Sequence, residues 1–468
     1  MDWQPQIKNR QGPLYAAICD AISEGVASGK LKPGQKLPPH RDLAFRLGVT
    51  IGTVAHAYAE ATERGLVVGE VGRGTFVVDY GPQRPEMTQL VVEEGNSTGE
   101  IIDLGLNLSA IGDGEAMLRD SLTDIVNRAS CGELLRYQPA GGMCNHRVAA
   151  ADWLMRRGLD ADPASIMICN GGQHAVFLSF MAVARHGETI VTELLTYPGA
   201  KAAAHQLGLN LVGVATDEEG IAPESLREIC RTRRPKALYL MPVLQNPTTV
   251  TMSERRLVEI AEIAREFELL VIEDDVYGFL AHNHPKPIAS FIPERTIYLT
   301  SASKSMAPGL RVGFMLVPDA LVHVVQDLGC MTNWMTPPLL AEVASLWIRD
   351  GKADRLVSWH RKQAEERQNI AHRWLGAYAR RASAPSYHLW LSLPEAWRMD
   401  SFARLALREG VRVITADAFA VKRDHAPHAV RLCLGAAFSL GQIEAATRKL
   451  LNLIENPPRP RMNLEAIE

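Results

Sequence analysis

Apolar residues recur every four positions at Leu14, Ile18 and Ile22, the spacing of one helix face, and the run ends near Gly29. After the turn KLKPGQKLPP, Leu43, Ala44 and Leu47 mark a second helix, which Gly48 breaks. Val49 and Thr50 lead into a third, with Val54, Ala57, Tyr58 and Ala61 on its inner side. Two helices joined by a short Gly-containing turn predict a helix-turn-helix. The next stretch, LVVGEVGRGTFVV, sets two apolar runs around GEVGRG, as a two-stranded wing does. From Asp79 to Glu100 the sequence mixes Pro, Gly, Gln and Glu without a period, which predicts a linker.

From Ile101 onward apolar strand candidates alternate with amphipathic helices. The strand KALYLMP precedes a helix expected to open on a capping box from Thr251 to Glu254 and to bury Leu257, Ile260, Ala261, Ala264 and Phe267. The strands LLVIEDD, TIYLTSASK and RVGFMLVP follow. This alternation predicts an α/β architecture, a mostly parallel sheet with helices on both faces. Three segments result: a winged helix over 1–78, a linker over 79–100, and an α/β domain over 101–468.

Bulk properties narrow the class. Of 468 residues, 47% are hydrophobic and 22% charged, the balance of a folded protein with more than one domain. No apolar run is long enough to span a bilayer, and MDWQPQIKNRQGPLY lacks the features of a secretory signal, so the expected compartment is the cytoplasm. The seven cysteines include no CxxC pair and suggest neither a disulfide framework nor a metal site. Nine Lys or Arg against seven Asp or Glu give residues 1–78 a charge of +2, leaving −5 for the remainder of a chain at −3. A nucleic-acid contact is therefore expected in the first segment only.

In a mostly parallel sheet, ligands sit beyond the carboxyl ends of the strands. Asn246, Asp274, Ser301, Ser303 and Lys304 fall there. Lys304 offers an amine to an aldehyde, Asp274 a buried carboxylate to a protonated ring nitrogen, and Asn246 and Tyr277 donors to a phenolate oxygen. Ser301, Ser303, Arg311 and the turn NGGQH, with Gly172 and Gln173, offer what a phosphate needs. These are the demands of pyridoxal 5'-phosphate. Taken singly, Asp274 reads as a helix cap, Tyr197 as a core ring and Arg311 as a surface cation; the ordered set reads as a site.

The strings NGGQ, LTYPG, PVLQNPTT, IEDDVYG, SASKSMAPGLRVG and VRLCLG occur in the order and spacing of the fold-type I aminotransferases, which this part of the chain resembles. The resemblance implies a smaller C-terminal α+β subdomain and a role for each matching residue. Lys304 takes the place of the lysine that forms the Schiff base, Asp274 that of the pyridinium partner, and Asn246 and Tyr277 those of the phenolate partners. Tyr197 resembles the ring that stacks on the pyridine, and Gly172, Gln173, Ser301, Ser303 and Arg311 resemble the phosphate cup. Tyr137 resembles a tyrosine that reaches the phosphate from a neighbouring subunit, which implies a homodimer. Arg431 resembles the arginine that grips a substrate carboxylate. Two positions depart from the family: Thr249 stands where Gly is usual, and His146 where Leu is usual.

The strings LKPGQKLPPHRDLAFRLGVT, TVAHAYAEATERGLV and GRGTFV resemble the GntR-type winged helix, which implies a double-stranded DNA operator as partner. By position Arg41, Thr50, Thr53, His56, Arg73 and Gly74 correspond to the DNA-contacting set. Ile51 and Ala55 replace arginines common in that family. The two resemblances together are those of the MocR subfamily of GntR regulators, in which an aminotransferase-like domain senses an amino acid, an amine or the cofactor itself. The same residues serve a second reading, an active aminotransferase that carries a winged helix.

Overall fold

The computed structural model describes residues 3, 5, 14–27, 29–32, 34–63, 66–70, 74–77, 101–109, 112–379, 385–435 and 439–457. The expected linker, 79–100, and Arg73 lie outside the described residues. The chain divides into two compact units, Met1–Arg84 and Pro85–Glu468.

In the first unit, helices α1 (Leu14–Ala27), α2 (His40–Leu47) and α3 (Ile51–Glu63) precede an antiparallel hairpin of β1 (Val67–Glu70) and β2 (Gly74–Val77). Ile18, Ile22, Leu43, Val54, Ala57, Tyr58 and Ala61 form the core with Val67 and Val77 from the hairpin. Leu14, in the first turn of α1, is an exception to the predicted face, being 52% exposed. Gly48 ends α2 in the left-handed region, φ 67°, and its N–H closes on Ala44 and Phe45 carbonyls. The turn before α2 does more than connect. Leu37 N–H donates to Thr75 O and Val77 N–H to Gln35 O, so this segment adds a short third edge to the wing.

The second unit is built on a seven-stranded sheet. Its strands are β3 (Ile166–Cys169), β4 (Thr189–Glu193), β5 (Asn210–Val214), β6 (Ala237–Leu240), β7 (Leu270–Asp274), β8 (Thr296–Ser301) and β9 (Gly313–Leu316), in the order β3-β9-β8-β7-β6-β4-β5. All run parallel except β9, which is antiparallel to both β8 and β3. Such strands are buried on both faces and read as continuous apolar runs; ALYL and TIYLTS are buried throughout. The helix after β6 starts at Glu254. Its cap is Ser253, whose hydroxyl accepts from Arg256 N–H, not the expected Thr251, whose hydroxyl instead accepts from Leu244 N–H at 3.1 Å. Phe267 sits at the C-cap of this helix and is only half-buried.

A smaller antiparallel sheet, β10 (His388–Ser392), β11 (Ile414–Thr415) and β12 (Ala429–Cys433) in the order β10-β12-β11, forms the C-terminal subdomain with helices Met399–Arg408 and Leu440–Glu455. Ile102–Asp103 pairs in parallel with Val411–Arg412 and so belongs to this subdomain.

Candidate functional site

Strand order decides which side chains meet. β6, β7 and β8 are neighbours, so the loop carrying Asn246, the terminal Asp274 and the Ser301–Lys304 turn emerge side by side at one edge. The reversed β9 starts at that same edge, since Gly313 pairs with Ser301 on one side and Cys169 on the other. Arg311 is thereby delivered next to the turn that follows β3, where helix Gly172–Val183 begins. At Gly171, φ 80°, an added Cβ would lie 2.6 Å from Arg311 Nη2, so only glycine admits the guanidinium.

Lys304 sits on the single turn Ala302–Ser305, capped by Ser301, whose hydroxyl accepts from Ser303 N–H. Burial pulls its ammonium down to about 8, with Arg431 and Arg311 adding repulsion and Cys433 opposing it. A lysine so placed offers the neutral, nucleophilic amine far more readily than a surface one. Its Nζ donates to the Asn107 carbonyl. Asp274 is buried, and burial raises it to about 7 although Tyr239 Oη donates to its Oδ2 at 2.7 Å and Val276 N–H to its Oδ1 at 3.3 Å. A cation brought against this carboxylate would restore its charge.

Tyr277 accepts from Asn107 Nδ2 at 2.7 Å, and burial pushes its phenol well above the usual range. Asn246 accepts through Oδ1 from Arg431 Nη1 at 2.9 Å, while Arg431 Nη2 donates to Gly105 O at 2.6 Å. Arg431 is buried, its guanidinium lies 4.7 Å from the centre of the Phe419 ring, and its Nε has no hydrogen-bond partner among the described residues. Tyr197 caps helix Pro198–Gln206, and burial, with Asp274 next, raises its phenol to about 12. Gly199 gives it room: a Cβ there would lie 2.3 Å from Tyr197 Cε1 and 2.1 Å from Gln173 Oε1.

At the other end, Ser301 Oγ donates to Ser303 Oγ at 3.1 Å, Arg311 Nη1 to Ser303 Oγ at 3.3 Å and Arg311 Nη2 to Asn170 O at 3.4 Å. Gln173 Nε2 donates to Gly199 O. Two hydroxyls, a guanidinium and the amides of a helix start suit a phosphate. With a depressed lysine and a buried carboxylate in the same cluster, the residues fit pyridoxal phosphate. Tyr137 is elsewhere, 81% exposed on the surface with its ring 5.8 Å from that of Trp334.

Two members of this cluster escape sequence reasoning. Asn107 touches both Tyr277 and Lys304 from the segment after the linker, and Tyr239 props Asp274 from β6. The hydroxyl of Tyr239 within the otherwise apolar run ALYLMP is the sequence sign of it. The two departures from the family pattern also find causes. Thr249 has φ 63°, the conformation that favours the usual glycine, and its hydroxyl donates to Thr248 O. His146 is buried beside Glu342, Nε2 to Oε2 2.9 Å, and Arg128 donates to the other carboxylate oxygen.

On the first unit, Arg41, Thr50 and His56 are exposed. Thr50 Oγ1 accepts from Thr53 N–H at 3.1 Å and lies 2.8 Å from Thr53 Oγ1, so the two hydroxyls also hold the start of α3. His56 stacks on Tyr15 at 3.9 Å, and Ile51 and Ala55 stand on the exposed face. Gly74 has φ 120°, with Lys36 across it: an added Cβ would meet Lys36 Cε at 2.7 Å. Lys36, exposed beside the wing, is a cation that the turn KLKPGQKLPP did not advertise as part of this face.

Residues 99–450 match the family Aminotransferase class I and II, and residues 14–77 match Bacterial regulatory proteins, gntR family. The uncharacterized HTH-type transcriptional regulator YdeF of Bacillus subtilis is 30% identical over 456 residues, 97% of each chain. The HTH-type transcriptional regulator TauR of Rhodobacter capsulatus is 26% identical over 380 residues, 74% of this chain and 76% of TauR. Among solved structures, a Pyrococcus horikoshii kynurenine aminotransferase in complex with PMP superposes with a TM-score of 0.71 at 26% identity, covering 76% of this chain and 91% of that one. The chain thus belongs to the GntR-type regulators that carry a class I and II aminotransferase domain, the MocR arrangement.

Proposed function

We propose that this chain is a transcription regulator that holds pyridoxal phosphate on Lys304, senses an amino acid or other amine there, and binds a double-stranded DNA operator through its first unit. The observation that carries the reading is the cluster of half-buried Lys304 with buried Asp274, Tyr277, Asn246 and Arg431 in one chain with a helix-turn-helix. Bound there, the cofactor supplies an electrophilic carbon for an incoming amine and a ring that accepts electron density. Lys304 is the residue that bonds to it; Asp274 holds a proton at the ring nitrogen; Asn246 and Tyr277 donate to the ring oxygen, and Tyr197 lies against the ring. Gly172, Gln173, Ser301, Ser303 and Arg311 hold the phosphate, joined by Tyr137 from a second copy. Arg431 binds the effector's carboxylate, exchanging its bonds to Asn246 and Gly105 for a bidentate pair.

The path toward the DNA-binding unit begins at Asn107. Its carbonyl accepts from Lys304 and its amide donates to Tyr277, Ser109 donates to Ser303 O, and this segment follows the expected linker 79–100 in sequence. An amine that displaces Lys304 therefore changes the bonds that tie down the end of the linker, and a difference in affinity between two such states shifts operator binding.

The reading is tested by recording the visible spectrum and DNA binding of one sample titrated with amino acids. The expected result is a cofactor band that shifts with the amine, together with a change in operator affinity, and borohydride treatment that places the cofactor mass on Lys304. Lys304→Ala should abolish all three. Repeated turnover with an oxo acid and no effect on DNA would instead establish the aminotransferase, which the presence of Arg431 also accommodates. No cofactor mass on any lysine would overturn both.

A further inference from the structure

Around Arg157, which is paired with Asp275, lies a second group of basic side chains. Helix Cys144–Met155 ends against helix Lys352–Leu375, and a cavity of about 160 Å³ between them and the loop after β7 is lined by Arg156, Arg157, Arg361, His284 and Asp354, with Trp153 and Phe279 as its apolar wall. The two rings are stacked at 4.3 Å, which makes that wall rigid.

The charges here are not balanced. Arg156 and Asp354 neutralise one another through two bonds, 2.8 and 3.0 Å. Among the described residues Arg361 bonds neutral acceptors, Phe279 O at 3.0 Å and Ala281 O at 3.3 Å, with His282 Nδ1 at 3.5 Å. Arg157, 1% exposed, gives Nε to Asp275 Oδ2 at 2.6 Å, and Tyr298 Oη donates to that same oxygen at 2.8 Å. Arg157 Nη1 and Nη2, both buried, have no hydrogen-bond partner among the described residues. Two terminal nitrogens of a buried cation left with unsatisfied N–H groups are costly, and acceptors that met them would recover that cost. Burial lowers both Arg361 and His284, and the charge of Arg157 lowers them further, so the three groups share one electrostatic neighbourhood.

We propose that this cavity is a binding site for a small oxyanion, a phosphate or a short carboxylate, held by Arg157, Arg361 and His284. A guanidinium whose two terminal nitrogens are unengaged matches the paired oxygens of either group. The site is separate from the phosphate cup at Arg311, and it meets the cofactor strand through Asp275, the residue after Asp274.

The test is calorimetric titration of the full-length protein with inorganic phosphate, and separately with succinate, at constant ionic strength. The expected result is a saturable site that Arg361→Gln weakens at least tenfold and Arg311→Gln leaves in place; whichever anion binds identifies the class. Replacing Arg157 risks unfolding the chain, so His284→Gln serves as the second variant, expected to weaken the same site, with thermal melting to verify that each variant is folded. Saturable binding that disappears in Arg311→Gln and persists in both Arg361→Gln and His284→Gln would mean the anion occupies the phosphate cup, and no saturable heat with either anion would mean screening alone. Either result overturns the proposal.

Discussion

Asp274 owes its state to burial, and that gives it a measurable signature. In the cofactor-free protein its folded value of about 7 exceeds the ordinary 3.8, so the folded form binds a proton more tightly than the unfolded chain. The resulting stabilisation is fully present below about pH 4 and is lost as pH rises through 7. Glu193 and Glu273, raised by burial to about 7 and about 8, act in the same direction. Asp274→Asn should therefore reduce the decline in melting temperature between pH 4 and pH 7 without abolishing it, and parallel curves for variant and wild type would contradict this account. Strand-end position was enough to pick out Asp274, Lys304 and Ser301 from the sequence, because a parallel sheet puts its chemistry at carboxyl ends. Asn107 was not recoverable in this way. It belongs to a short irregular segment, and only the fold brings it across to Tyr277 and Lys304.

Helices and strands were readable where a period ran for several turns and less so at their ends. The face of α3 is as expected, whereas α1 gains its first buried contacts after Leu14, and the helix at Glu254 takes Ser253 as cap because Thr251 is already bonded to Leu244. Capping depends on which hydroxyl the preceding loop leaves available, and loop geometry has no period to read. The N-terminus of α3 carries a consequence for DNA. Ile51, 50% exposed, occupies the first position of the helix, where the resemblance to the GntR-type winged helix implies an arginine. A cation there adds one phosphate contact, and each such contact steepens the dependence of log K on log salt by about 0.9. Ile51→Arg should tighten binding to a random-sequence duplex at low salt and steepen that slope by about this amount, as read by fluorescence anisotropy over a salt series. An unchanged slope would show that this end of α3 does not face the phosphates.

At the scale of the whole molecule, the second unit leaves apolar side chains uncovered around one aromatic pair. Leu135, Tyr137, Met331 and Trp334 are 90%, 81%, 73% and 59% exposed, and Tyr137 and Trp334 are in ring contact. Clustered exposure of this kind marks an interaction surface in a folded protein. The second copy proposed above would cover this surface and would bring the Tyr137 hydroxyl to the phosphate site of its partner. Two variants separate these roles. Leu135→Asp combined with Met331→Asp should convert a dimer to a monomer in sedimentation and release cofactor with it, because the partner's tyrosine is withdrawn. Tyr137→Phe should leave the dimer intact and cost about 1.5–3 kcal/mol of cofactor binding, the usual worth of a hydrogen bond to a charged group, which is a loss of about tenfold or more. A wild-type monomer would remove the partner from the site, and a Tyr137→Phe dimer that holds cofactor as tightly as wild type would remove the tyrosine.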